Sequence, residues 1–441
     1  MFLAHALGTP IELPLPLSVF LWGASVALLF SFLALGRLWR ASRFEGREGR
    51  PLPAPVQRAA GVAAVVGRVI TLALFVATFW SGLAGRNLVD ANFAPRAVYV
   101  VFWVGLTVIS ALFGDVWRAV SPFDTICAVG QWLRTRLGRT GAPPRAYPPR
   151  WGYWPAAAGL FAFVWLELVY QDAADPRSVA LAMEVYTLAV LGGAATWGRE
   201  WLQRGEAFAV YFGLLSQMAP FFRGADGKVR VRAPLSGLAQ LPQQAPVPGT
   251  GAVVFVALGS TSFDGLSRTR FWTDLVAGQD EMRLMVSATL GLAWMIVTVG
   301  VLYVASMRLA GRFAERDSDA LVTWFLPSLV PIVFGYAIAH YFTLLIFESQ
   351  TAVALASDPL GRGANYFGTA NWAVNLTFIT NGQVAWVQAG SMVGGHIAGV
   401  VAAHDRAVDR FRGPEVTRSQ FPLLGAMVVY TVGGLALLFG R

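Results

Sequence analysis

Apolar runs of about 20 residues recur along the whole chain, separated by short polar segments that carry arginines. A helix needs a run of this length to cross the hydrocarbon core of a bilayer. The pattern therefore predicts an all-α fold, a polytopic helical membrane protein with about ten transmembrane helices in a single domain over residues 1–441. The predicted spans are 15–39, 60–85, 97–114, 151–170, 178–198, 250–266, 284–307, 321–347, 383–404 and 421–440.

The basic residues predict how these spans are oriented, because arginine-rich loops stay on the cytoplasmic side. Every second loop is arginine-rich, and these loops follow Trp39, Gly114, Gly198, Met307 and His404. We therefore expect both termini outside and a long cytoplasmic loop over 115–150.

Segment 206–222 is apolar but has basic residues on both sides. A crossing here would invert all the later basic loops, which contradicts the positive-inside rule. We expect instead a re-entrant or interfacial segment within 199–249.

Composition agrees with a membrane protein. Charged residues make up 13% of the chain, against about 25% in soluble domains. The net charge of +9 comes from arginines in the loops, so we expect no nucleic-acid partner. Cys127 is the only cysteine, which excludes an intrachain disulfide. Lys228 is the only lysine, beside abundant Ala, Gly and Pro, which favours a GC-rich bacterial genome. We therefore expect a multi-pass protein of the bacterial cytoplasmic (inner) membrane.

Ionisable residues inside the predicted spans are the candidate functional residues, since burying them in a membrane is costly. In the predicted topology five of them share the outer half of the membrane, and these are Glu167, Glu184, Asp264, His340 and Glu348. They would form a catalytic polar pocket near the outer surface.

Such a pocket could hold a divalent metal that activates water. No ligand spacing such as HExxH supports this, so the cofactor stays open. In the alternative interpretation His340 only joins two helices by pairing with a carboxylate or a backbone carbonyl. We expect His340 to face the interior and to pair with Glu184 or Glu167, and Glu348 to stand in water at the pocket mouth.

A second histidine, His396, lies in a glycine-rich span. Gly394, Gly395 and Gly399 predict a face that packs closely on another helix, which favours a structural role for His396. A haem site shared with His404 or a proton path is the alternative.

Six stretches of the chain are distinctive: "HALGTPIELPLPLSVFLWGASVALLFSFLALGRLW", "DVWRAVSPFDT", "WPAAAGLFAFVWLELVYQDAADPRSVA", "STSFDGLS", "AHYFTLLIFESQ" and "GGHIAGVVAAHD". They resemble bacterial membrane proteins known as fenitrothion hydrolases. The resemblance covers most of the chain. It implies hydrolysis of an organophosphate triester, a small apolar substrate that would enter from the lipid bilayer. It carries over no catalytic residue.

Two other functions stay open at this point. The same buried residues would serve a transporter or proton-linked permease. The chain would otherwise be a non-catalytic subunit or assembly factor of a respiratory membrane complex, with a membrane-complex partner. Signatures of soluble enzymes, such as a P-loop or GxSxG, are absent from the sequence.

Overall fold

A computed structural model describes residues 14–44, 49–138, 143–241, 247–314 and 318–440. Most of these residues are helical, and very few belong to strands. In chain order the helices are α1 (Leu17–Leu38), α2 (Ala54–Ala84), α3 (Phe93–Phe113), α4 (Val116–Val120), α5 (Pro122–Arg136), α6 (Trp154–Leu168), α7 (Pro176–Trp197), α8 (Arg199–Arg204), α9 (Ala207–Leu215), α10 (Ser236–Gln240), α11 (Thr250–Ser267), α12 (Arg270–Leu275), α13 (Glu281–Ala314), α14 (Ser318–Ser357), α15 (Asn381–Arg410), α16 (Glu415–Arg418) and α17 (Phe421–Phe439).

Eight helices among the described residues are long and apolar enough to cross a membrane. They are α1, α2, α3, α7, α13, α14, α15 and the segment Glu415–Phe439 that comprises α16 and α17. The expected all-α, membrane-protein class is therefore confirmed. The other two predicted spans form α6 and α11, of 15 and 18 residues. A helix of 15 residues is about 22 Å long, less than a hydrocarbon core of about 30 Å, so the count of ten stays a prediction.

The arginine-rich loops gather at one end of the bundle, where Asp405 near the end of α15 fastens the segment after α1. The Asp405 carboxylate accepts hydrogen bonds from the Trp39 indole at 2.9 Å, the Ser42 hydroxyl at 2.8 Å and the Arg43 backbone N–H at 2.6 Å. A three-stranded antiparallel sheet lies at this arginine-rich end. Its strands are β1 (Arg50–Pro51), β2 (Phe221–Arg223) and β3 (Val229–Val231), in the order β1-β3-β2.

The segment 206–222 contains α9, and its two ends lie near each other. The Glu206 carboxylate accepts a hydrogen bond from the Trp117 indole at 2.9 Å. Gly114 adopts a positive φ of 100° and lies against Phe221, where an added Cβ would sit 2.4 Å from the carbonyl oxygen. Both ends of the segment are therefore at the arginine-rich end, and α9 is mostly buried. How the segment lies relative to the bilayer stays a prediction.

Helices α14 and α15 cross closely at glycines. A Cβ placed on Gly395 would lie 2.7 Å from the Pro331 carbonyl oxygen and 2.9 Å from the Cα of Gly335. Gly399 meets the Ser328 carbonyl in the same way, at 2.8 Å. Gly394 has no atom within 4 Å of its added Cβ, so the expectation that it packs on a helix was wrong. Adjacent helix positions are about 100° apart, which turns Gly394 away from the crossing.

Helices α11 and α13 pack antiparallel, and small residues set their spacing. A Cβ on Gly259 would lie 2.5 Å from the Cα of Ile296. Helix α6 joins the same layer, because the Trp165 indole donates to the Thr289 hydroxyl at 2.9 Å. This layer fixes the ends of α6 and α11, where the candidate carboxylates lie.

Candidate functional site

Three helices bring the candidate residues together at the end of the bundle opposite the arginine-rich end. Helix α11 packs on both α6 and α14. Its residue Asp264 is 2% exposed, and the Asp264 carboxylate contacts Nε2 of His340 on α14. Arg268, one turn further along α11, places Nη2 2.7 Å from the same carboxylate oxygen, Oδ2. A carboxylate, an imidazole and a guanidinium thus form one cluster.

The contact with Asp264 determines which nitrogen of His340 can act as a base. A carboxylate accepts hydrogen bonds, so Nε2 carries the proton and Nδ1 carries the lone pair. No described residue hydrogen-bonds to Nδ1, and the His340 side chain is only 8% exposed. In an Asp–His pair the carboxylate fixes the tautomer and stabilises the imidazolium that forms on proton uptake. The pair is therefore built to accept a proton at Nδ1.

Glu167, at the end of α6, lies beside this pair. Its carboxyl group is within hydrogen-bonding reach of the Tyr341 hydroxyl. Its Oε2 is buried and has no geometrically well-formed hydrogen bond to any described residue. Trp103 closes the apolar side, with its ring centroid 6.5 Å from that of Tyr341. Leaving a buried oxygen without a hydrogen-bond partner costs stability.

Glu348 belongs to a separate ion pair. Its Oε2 lies 3.0 Å from Nε of Arg96, whose side chain is 5% exposed. Arg96 also reaches Asp90, with 3.1 Å between Nη2 and Oδ1, and contacts the Val89 carbonyl. The expectation that Glu348 stands in water at a pocket mouth was therefore wrong. Arg96 was missed because the sequence pattern assigned it to a loop.

Two π-helical segments meet at this ion pair. They are Ala97–Gly105 within α3 and Leu344–Glu348 within α14, and they pack against each other. π-helical turns are rare and occur frequently at functional sites. Their position next to the cluster is an independent sign that this end of the bundle has a function.

Glu184 does not join the cluster. It is exposed on an outward face of α7, together with Leu181, Val185 and Leu188, which are 59–65% exposed. His340 does face the interior and does pair with a carboxylate of another helix, as expected. The expected partner was wrong, because the carboxylate is that of Asp264 and neither Glu184 nor Glu167. Helix packing determines whether a side chain of α7 faces the core, and the periodicity of the sequence alone did not predict this.

The cluster does not provide the ligands of a metal site. Among the described residues, no group of three or more His, Cys, Asp or Glu side chains could hold a metal ion. Asp264 and His340 supply two ligands at most, and the Arg268 guanidinium already lies on the carboxylate. A divalent metal therefore does not fit this donor set.

His396 and His404 each have their own partners within the protein. His396 is fully buried, donates from Nδ1 to the Met392 carbonyl at 2.9 Å, and lies beside the rings of Tyr336 and Tyr430. His404 donates from Nε2 to the Trp39 carbonyl at 3.1 Å. The two histidines therefore do not form a shared haem site.

Among the described residues, no chain of hydrogen bonds joins His340 to His396. The Tyr336 hydroxyl, one turn from His340, donates to the Tyr430 backbone carbonyl at 2.7 Å. The Tyr430 hydroxyl lies 3.0 Å from the Leu258 carbonyl and 2.7 Å from the Ser262 hydroxyl. These contacts hold the tyrosines in place and do not connect His340 to His396.

No protein-family model, curated protein or solved structure matches this chain. The fold and the site define the class: a helical membrane protein with a buried Asp–His–Arg cluster at one end of its bundle.

Proposed function

We propose that this chain is a hydrolase of the bacterial inner membrane that acts on small apolar esters of the organophosphate triester class. The observation that carries the proposal is the buried Asp264–His340 pair with Nδ1 of His340 left without a partner. The stretches that resemble fenitrothion hydrolases include Asp264 in "STSFDGLS" and His340 in "AHYFTLLIFESQ".

In the proposed reaction His340 acts as a general base. Nδ1 removes a proton from water while the water oxygen forms a bond to phosphorus, and the bond from phosphorus to the aryloxy oxygen breaks. The electron pair of that bond leaves with the aryloxide anion. Asp264 stabilises the imidazolium, and the positive charge of Arg268 stabilises the negative charge that develops on the phosphoryl oxygen. The proton then passes from His340 to solvent.

The proposed topology suits an apolar substrate. With ten spans and both termini outside, the arginine-rich end lies in the cytoplasm and the cluster lies near the outer surface. A triester dissolved in the bilayer would reach the cluster sideways, without crossing water. Glu167 and Tyr341 would form the polar wall opposite His340.

The test is release of nitrophenolate from an aryl phosphotriester by the purified chain in proteoliposomes. We expect His340→Gln to lower the rate at least about 100-fold, since general-base catalysis contributes about 10²–10⁴-fold. Glu184→Gln is the matched control, because it removes a carboxylate from a membrane helix outside the cluster, and we expect it to keep the parent rate. A folded His340→Gln variant with the parent rate would refute the proposal.

A proton-linked permease is the second candidate, and a specific observation favours it. Helix α14 changes from a 3-10 turn at Leu326–Leu329 through α-helix to the π-helical segment Leu344–Glu348. Such irregular helices can shift register more readily than a regular helix. Proton uptake into the same proteoliposomes that depends on His340, without hydrolysis of any ester tested, would favour this function.

A further inference from the structure

An apolar groove runs along the halves of α6 and α11 that lie away from the cluster. It lies between α6, α11 and α13 and has a volume of about 980 Å³. Ile296 lines the groove at one end, and Arg308 and Arg312 line it at the other. Ala305 lies between them, and its small side chain leaves the space open, whereas Gly300 packs against the Phe255 ring, 3.2 Å from an added Cβ. This groove is distinct from the cluster of Asp264 and His340.

The dimensions of the groove match one leaflet of a bilayer. Ile296 and Arg308 are twelve positions apart on α13, about 18 Å along the helix axis. Half of a hydrocarbon core is about 15 Å deep. An acyl chain laid along the groove would therefore extend from the membrane surface to about the mid-plane.

Two arginines carry positive charge at one end of the groove. Arg308 and Arg312 are one turn apart, on one face of α13, and both are exposed at the arginine-rich end. No described carboxylate lies within ion-pair distance of either guanidinium. Two adjacent guanidinium groups at the membrane surface favour a phosphate with a net negative charge.

We propose that this groove binds an anionic phospholipid of the membrane. The phosphodiester lies against Arg308 and Arg312, and one acyl chain fills the space beside Ala305. A zwitterionic phosphocholine lipid binds less well, because its trimethylammonium group is repelled by the same arginines. The site goes beyond the proposed hydrolysis and does not depend on it.

The experiment is native mass spectrometry of the full-length chain, titrated in detergent with phosphatidylglycerol or phosphatidylcholine of the same acyl chains. We expect the parent chain to retain phosphatidylglycerol in preference. Replacing both arginines, in the double variant Arg308→Ala and Arg312→Ala, should weaken its retention about 25-fold, or about fivefold per arginine.

The matched control is the double variant Arg134→Ala and Arg136→Ala, which removes the same charge from the exposed end of α5. We expect this control to retain phosphatidylglycerol as the parent does. Equal losses in the two double variants would overturn the proposal, because they would show a general effect of surface charge. Unchanged retention after loss of Arg308 and Arg312 would overturn it too.

A second variant tests the apolar part of the groove independently of the two arginines. Ala305→Phe keeps both cations and fills the apolar space, so we expect it to lose phosphatidylglycerol as well. Retention at the parent level would show that the acyl chain does not occupy the groove, which contradicts the proposal. Displacement of the lipid by millimolar inorganic phosphate would likewise contradict it, since free phosphate lacks the acyl chain.

Discussion

Two buried glutamates at opposite ends of the bundle differ in how their oxygens are satisfied. Glu206, at the arginine-rich end, is 2% exposed and accepts four hydrogen bonds. The donors are the Trp117 indole at 2.9 Å, the backbone N–H groups of Phe208 at 2.9 Å and Ala209 at 2.7 Å, and the Tyr186 hydroxyl.

Glu167, at the opposite end, is 9% exposed and keeps Oε2 without a partner among the described residues. Burial alone therefore does not distinguish the two carboxyl groups. The number of donors does, because the hydrogen bonds to Glu206 stabilise the fold, whereas an oxygen buried without a donor costs stability. Asp405 resembles Glu206 in this respect, since donors surround both of its oxygens.

The largest effect is expected at Glu206. Glu206→Ala leaves the buried Trp117 and Tyr186 donors unpaired and removes the N-cap of α9, which together should lower the free energy of unfolding by at least about 3 kcal/mol. The measurement is thermal unfolding of the purified variant in detergent. Glu206→Gln is the control and should lose less, because its amide oxygen still accepts. An unchanged melting temperature for Glu206→Ala would break the comparison.

The adjacent residues Gly395 and Gly394 differ in their surroundings, since Gly395 packs against α14 and Gly394 faces open space. Gly395→Leu would force side-chain atoms into the Pro331 carbonyl and Gly335, so we expect a loss of about 2–3 kcal/mol in stability. Gly394→Leu has open space and should change stability by less than about 0.5 kcal/mol. Both are measured by yield of monodisperse protein and by thermal unfolding. Equal behaviour of the two variants would contradict the close crossing of α14 and α15.

Glu348 is an intermediate case, since it is buried like the two glutamates above and has one charged partner. Glu348→Gln keeps a hydrogen-bond acceptor for Arg96 but removes the charge, so we expect a loss of about 1.5–2 kcal/mol. Asp90→Asn is the control, because the Asp90 side chain is 95% exposed, and it should cost less than about 0.5 kcal/mol. A larger loss from Asp90→Asn would show that the exposed partner holds Arg96.

The smallest effect on stability is expected at Glu167. Glu167→Gln replaces a poorly satisfied carboxylate with a neutral group of the same shape, so stability should stay within about 0.5 kcal/mol or rise. The same variant should lower the proposed hydrolysis, since the polar wall beside His340 loses a carboxyl group that can exchange protons. If Glu167→Gln lost as much stability as Glu206→Ala, the distinction between the two glutamates would be wrong.

The sequence pattern predicted the helices well, because long apolar runs need few tertiary details to be recognised. It also predicted that His340 faces the interior, because a polar side chain in an apolar run must turn away from lipid. The partner of His340 depends on how α11 and α14 pack, which is a tertiary feature. One local signal was available: Arg268 follows Asp264 by four residues, so the two share a helix face.

The hydrophobic pattern of the sequence did not predict other parts of the site. Glu184 and Glu167 both have mainly apolar neighbours in the sequence. Even so, Glu184 faces outward and Glu167 faces the core. The Arg96–Glu348 pair joins residues 252 positions apart, and the π-helical turns around it have no marker in hydrophobic periodicity. The metal and the haem were suggested by residue type alone, and the geometry does not bring enough ligands together.

The most direct test of the central claim is a double-mutant cycle on His340 and Asp264, measured as the rate of aryl phosphotriester hydrolysis in proteoliposomes. If the two residues act as one proton-accepting unit, His340→Gln and Asp264→Asn should each lower the rate at least about 100-fold, and the double variant should be no slower than His340→Gln alone. Glu184→Gln should keep the parent rate in the same preparation. Folded single variants that hydrolyse the triester as fast as the parent chain would contradict the account.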